Sequence, residues 1–115
     1  MSEDWELTDV VSLLDDEYAR AILRETSIEP MSASTLSERC DASLPTIYRR
    51  VNALTDADLL TERTELDGGG DHYSVYAGRL DRLTIDLDDG TFDLDVSLTE
   101  DDPADRFTDL FEGLR

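Results

Sequence analysis

The stretch SLPTIYRRVNAL, residues 43–54, gathers the side chains best suited to grip a polyanion. It sets Arg49 beside Arg50 in a chain that carries 29 Asp and Glu and a formal net charge of −19. Residues 42–55 contain no carboxylate, the longest such gap in the sequence; the next longest is 72–80. An arginine fork can read guanine bidentately or clamp a phosphate, Asn52 matches the edge of adenine, and Thr46 suits a thymine methyl or a phosphate. The first turn of a helix normally welcomes Asp or Glu because of its dipole. Here residues 44–46 are Leu, Pro and Thr, which leaves the exposed amides for a phosphate.

The elements that must position these groups follow from spacing. Ser43 reads as a helix cap with Pro45 in the first turn, where a missing amide hydrogen is tolerated. Ile47, Val51 and Leu54 then form an inward stripe at i, i+4, i+7. Pro45, Thr46, Arg49, Asn52 and Ala53 are expected on the opposite face, with Tyr48 and Arg50 at its flanks. Tyr48 fits equally well as a boundary residue against the first helix. Adjacent arginines on a helix are often only solvated charges paired with nearby acids. The acid-free window and the elements around it favour a nucleic-acid contact instead.

Upstream, Val10, Val11, Leu14, Tyr18, Ala21 and Ile22 predict an amphipathic helix over 8–25, capped at Thr8, with any break falling near Asp15. Pro30 marks a turn, and SASTLSERC gives a short second helix carrying the Leu36/Cys40 pair. Downstream, TERTEL and HYSVYA bracket the loop DGGGD and predict a β-hairpin. LTIDL and FDLDVSL alternate strictly about Asp89-Gly90 and predict a second one. Its Leu83, Ile85, Leu87, Phe92, Leu94, Val96 and Leu98 belong on one face. The tail DDPADRFTDLFEGLR spaces Phe107, Leu110, Phe111 and Leu114 as an amphipathic helix.

The predicted fold is therefore α+β: a winged helix-turn-helix with an additional C-terminal β-hairpin and a C-terminal amphipathic helix. Residues 1–78 would form the DNA-binding unit and 79–115 a dimerisation extension of the same domain. In the wing, Arg63, His72 and Tyr73 could approach the minor groove or flanking phosphates, whereas Asp67 and Asp71 beside the glycines would repel the backbone.

Residues 14–76, above all SASTLSERCDASLPTIYRRVNALTDADLLTER, resemble winged-helix transcriptional regulators of the ArsR-like group in their haloarchaeal form. The resemblance rests on the polar cap before Leu36, the helix from Ser43 to Leu54, and the Leu59-Leu60 pair leading into the wing. It implies that the 43–54 helix lies in the DNA major groove. Asp58 stands where the family often has glycine; aspartate also tolerates the left-handed conformation, so the turn is expected to survive. The paired-cysteine ligands of metal-sensing members are not matched, so no metal site is expected.

Composition bounds the remaining classes. A chain of 115 residues supports one modest core. All ten basic residues are arginine, and the acids are spread among periodic apolar residues rather than gathered in blocks, as expected of a halophilic folded domain. MSEDWELTD pairs no basic run with an apolar one, and no stretch reaches membrane-spanning length, so a cytoplasmic protein without a membrane partner is expected. Cys40 is the single cysteine and His72 the single histidine, and both fit ordinary packing roles. DLDDGTFDLD lacks calcium ligands, because positions 85 and 87 are Ile and Leu. With no nucleophile in a strained turn and no cofactor motif, an enzyme is not expected.

The expectation is a homodimeric regulator that binds double-stranded DNA through Ser43, Pro45, Thr46, Tyr48, Arg49, Arg50, Asn52, Arg63 and His72. The dimer surface is expected at Phe107, Leu110, Phe111 and Leu114, with one face of the second hairpin as a further candidate; the alternative is that this stripe covers its own subunit's hairpin. The competing function is a protein-interaction adaptor in a transcription or replication complex. A coat this acidic should also make DNA binding fall less steeply with added salt than it does for a basic domain.

Overall fold

The computed structural model describes residues 5–99. Their order is α1 (Leu7–Asp15), α2 (Glu17–Thr26), α3 (Ala33–Arg39), α4 (Leu44–Asp56), β1 (Leu60–Leu66), β2 (His72–Gly78), β3 (Leu80–Asp88) and β4 (Thr91–Leu98). The result is a mixed α+β fold of four helices and two antiparallel hairpins, β1–β2 and β3–β4, each a separate two-stranded sheet. The C-terminal amphipathic helix and the residues Phe107, Leu110, Phe111 and Leu114 lie outside the described residues.

The helical stretch expected over 8–25 is two helices, with the break at Asp16, next to the expected position at Asp15. Asp16 is extended (φ −79°, ψ 125°) and its side chain accepts the Ala19 amide at 2.8 Å, so it starts α2 as an N-cap. Arg20 closes the other side of the break, donating to the carbonyls of Leu14 at 2.7 Å and Asp15 at 3.0 Å. Thr8, expected as the cap of the first helix, sits inside α1, whose N-cap is Glu6.

α3 and α4 end in the same device. Asp41 has φ 53°, and the amides of Asp41 and Ala42 donate back to Glu38 and Ser37. Asp58 has φ 63°, with the Asp58 and Leu59 amides donating to Thr55 and Leu54. Both are Schellman closures with aspartate in the left-handed position usually given to glycine, as expected at Asp58. The Ser37 hydroxyl also donates to the Ala42 carbonyl, which fixes the turn between α3 and α4.

The core joins the helices to the hairpin bases. Ile22, Leu36, Ile47, Leu54, Leu59 and Leu60 are fully buried, with Val51, Met31, Tyr76 and Val96 packed among them. Met31 and Tyr76 exchange two backbone hydrogen bonds, at 3.0 and 2.8 Å, which pin the α2–α3 turn to β2. Gly78 presses on the end of α2, where a Cβ would meet Thr26 Oγ1 at 3.1 Å and the Ser27 amide at 3.3 Å. The hairpins are tied in series, since the Arg79 amide donates to Leu59 and the Thr99 amide to Arg79.

Candidate nucleic-acid interface

α4 begins as the sequence suggested. Ser43 is extended (φ −70°, ψ 157°); its Oγ accepts the Thr46 amide at 3.3 Å and donates to Thr46 Oγ1 at 3.0 Å. Pro45 occupies the first turn, and Ile47, Val51 and Leu54 are buried. The opposite ridge is formed by exposed Ser43, Leu44, Pro45, Tyr48, Arg49 and Asn52, with Thr46 half-buried. No acidic residue lies in the first turn. Among the described residues Arg49 makes no ion pair, so its guanidinium is presented to solvent.

Arg50 departs from the expected arrangement. Its Nε donates to Asp16 Oδ2 at 2.8 Å, both side chains are 27% exposed, and its guanidinium carbon lies 6.0 Å from the Tyr18 ring centre. Asp16 Oδ2 also accepts the Ala19 amide, so one carboxylate caps α2 and holds α4. The hydrogen bond from Arg50 holds the Asp16 carboxyl below the usual range, partial burial opposes this, and the Ala19 amide reinforces it. The same contact raises the pKa of Arg50. The bond is made through Nε, and Arg50 stands at the seam between α2 and α4, on the flank of the ridge.

The cause is helical geometry. Successive residues rotate by about 100°, so Arg49 and Arg50 cannot share one face. Ala53, expected outside, is half-buried for the same reason: it borders the seam and lines a groove of about 600 Å³ with Trp5, Leu13, Asp16 and Ala57. Trp5 Nε1 donates to the Ala57 carbonyl at 2.7 Å, which ties the start of the described chain to the end of α4.

On the other side of α4, a cleft of about 410 Å³ is lined by Ser32, Ser34, Tyr48, Glu62, Tyr73 and Tyr76. Tyr48 therefore stands between α4 and the first hairpin rather than against α1. Burial and nearby Glu62 push the Tyr76 phenol pKa up, so it stays protonated. Ser32 and Ser34 were not foreseen at this surface. Their only sequence signal is their place around the start of α3, where Ser32 caps through the Thr35 amide at 3.2 Å.

The hairpin residues are placed more modestly. Arg63 Nε pairs with Glu65 Oε2 at 3.1 Å on its own strand, so part of its charge is already answered. His72 is exposed at the start of β2, opposite Leu66. Asp67 turns its carboxylate onto the loop: Oδ1 accepts the amides of Gly69 at 2.8 Å and Asp71 at 3.0 Å. Gly70, with φ 89°, completes this turn. Cys40 is half-buried beside the core, and its thiol pKa is raised by burial and by Glu25, which disfavours the reactive thiolate.

An α3–turn–α4 unit with a locked turn and a carboxylate-free outer ridge defines a helix-turn-helix module. Residues 14–63 match a family described as a helix-turn-helix domain. The match runs from the end of α1 through α4 into β1, so it includes the candidate ridge and omits both hairpin tips. The similarity supports DNA binding of a regulatory kind. No curated protein matches the chain. Among the described residues no helix is long and apolar enough to cross a membrane, and no group of three His, Cys, Asp or Glu is placed to hold a metal.

Proposed function

We propose that the chain is a sequence-specific transcriptional regulator, a winged helix of the ArsR-like, halophilic kind, which inserts helix 43–56 into the major groove. The observation that carries this reading is the α4 ridge, where an exposed Arg49 lies beside Asn52 and a capped, acid-free first turn in an otherwise anionic molecule. Arg49 and Asn52 supply base readout, Thr46 and the first-turn amides of α4 meet phosphate, and Tyr48 packs at the edge of the contact. The β1–β2 hairpin serves as the wing, with His72 nearest the duplex and Arg63 contributing a partly neutralised charge.

A single ridge of this length reads few base pairs, so the functional unit is a homodimer on a near-palindromic site. Residues 1–78 act as the DNA-binding unit. Residues 79–115 join the copies, with Phe107, Leu110, Phe111 and Leu114 in the contact.

Selection from a randomised duplex library in molar KCl tests this. The expected product is a pair of inverted half-sites about 10–10.5 base pairs apart, or a multiple of that spacing. A selected pool indistinguishable from the starting library would overturn the reading.

A further inference from the structure

The groove behind α4 combines an apolar lining with an acidic rim. Its volume of about 600 Å³ lies within the range of small-molecule sites. Val10 and Ala19 are buried beneath it, and Leu13, Ala53 and Ala57 are half-buried along it. Trp5 also lines it. The indole N–H is already given to the Ala57 carbonyl at 2.7 Å, so what Trp5 has left to offer a ligand is its ring. The walls belong to α1, α2 and α4, which the Trp5 bond and the Asp16–Arg50 pair hold together, so the groove is formed before any ligand arrives.

Four further carboxylates line the same groove: Glu6, Asp9, Asp56 and Asp58. All four are exposed, and none makes an ion pair among the described residues. The remaining acid, Asp16, and the one base, Arg50, answer each other. An apolar lining thus sits inside four uncompensated negative charges, which focus a negative potential on it. The cleft on the other side of α4 differs, for it is lined by serines and tyrosines with Glu62 as its one acid. The acidity of the groove is therefore more than the average of the coat.

We propose that this groove binds a small organic cation, its apolar body against Val10, Leu13 and Ala57 and its charge held by the Trp5 ring and the carboxylate rim. Charge selects the occupant. The rim repels nucleic acid and a second copy of net charge −19. It also disfavours the chain's own remaining residues, since 100–115 hold six acids against two arginines and 1–4 hold two acids and no arginine. A bare metal ion is no better suited, because among the described residues no three acids, cysteines or histidines converge to hold one. A cation with an apolar body answers both the rim and the lining.

Titration of the full chain with adamantyltrimethylammonium in about 1 M KCl tests this, since salt at that level screens attraction to the rest of the coat. Binding is read by calorimetry and by the emission of Trp5, the one tryptophan of the chain. A single saturable site that shifts the Trp5 emission is expected. Adamantanecarboxylate has the body with the opposite charge, and tetramethylammonium has the charge without the body. Each should bind about tenfold more weakly or worse. A cation that does not saturate, which is also the outcome if the chain's own residues fill the groove, overturns the proposal. So does equal binding of either control.

Asp9→Asn combined with Asp56→Asn locates the site. Both side chains are exposed, so the parent melting temperature should be kept while the dissociation constant of the cation rises about threefold or more. Asp86→Asn combined with Asp93→Asn makes the same change of net charge on the second hairpin and should leave that constant at the parent value. Equal losses in the two double variants would assign the attraction to the coat as a whole and overturn the site. Every arm is measured without DNA, so the result stands apart from the regulator reading.

Discussion

The outer ridge of α4 and the seam between α2 and α4 each hold one of two neighbouring arginines. On the ridge, Arg49 makes no ion pair among the described residues and stands with Asn52 and the capped first turn. In the seam, Arg50 pairs through Nε with Asp16 and lies over Tyr18. Identical side chains one residue apart thus have different surroundings, since one step along a helix moves a side chain by about a quarter turn. Under the proposed function, the pair is read as one contact at Arg49 and one fastening at Arg50.

The comparison fails if both positions respond alike to substitution. The largest effect is expected for Arg49→Ala, which should weaken binding to the selected duplex by about 1–3 kcal/mol, or roughly fivefold to 150-fold, through loss of a bidentate base contact. The melting temperature should not change. Fluorescence anisotropy beside a thermal melt measures both, and parent-like affinity would remove Arg49 from the interface.

Asp16→Ala comes next, because it deletes an N-cap as well as the partner of Arg50. A loss of about 1 kcal/mol in folding stability is expected from the cap, read in denaturant titrations. Acid should reproduce part of this. The Asp16 pKa is lowered in the folded state, so its contribution is present above the unfolded carboxylate value and is lost as pH falls through the folded one. In the acid limb, below about pH 4, the stability of the parent should converge on that of Asp16→Ala.

Arg50→Ala should be the mildest in stability. A pair exposed to this degree is worth about 1 kcal/mol or less, and the cap on Ala19 survives. Its binding loss should be smaller than that of Arg49→Ala. A double-mutant cycle with Asp16 should show that the two costs are not additive. A loss of affinity equal to that of Arg49→Ala, with no coupling to Asp16, would return Arg50 to the reading face.

Much of the framework was legible beforehand, for reasons visible in particular residues. α4 could be delimited because Ser43, Pro45 and the Ile47/Val51/Leu54 stripe point to the same helix. The second hairpin followed from strict alternation about Asp89-Gly90, and both turn residues do have positive φ, 55° and 79°. The break near Asp15 was legible, but the Asp16 cap on the Ala19 amide was not, and Thr8 does not cap α1. The partner of Arg50 lies 34 positions away, beyond the reach of any local pattern. Alternation likewise shows which side of β3–β4 is apolar, but not that cover ends before Ile85, Leu87 and Phe92.

By itself, then, the sequence determined most of the described helices and strands, the Ser32 and Ser43 caps, the hairpin turns and the acid-free ridge, because these depend on periodicity and neighbouring backbone groups. Only the tertiary structure decided which arginine was ion-paired and how far the core reached along the second hairpin. Both depend on which distant elements come to lie side by side, and a guanidinium or an apolar face is free only where no such neighbour has claimed it.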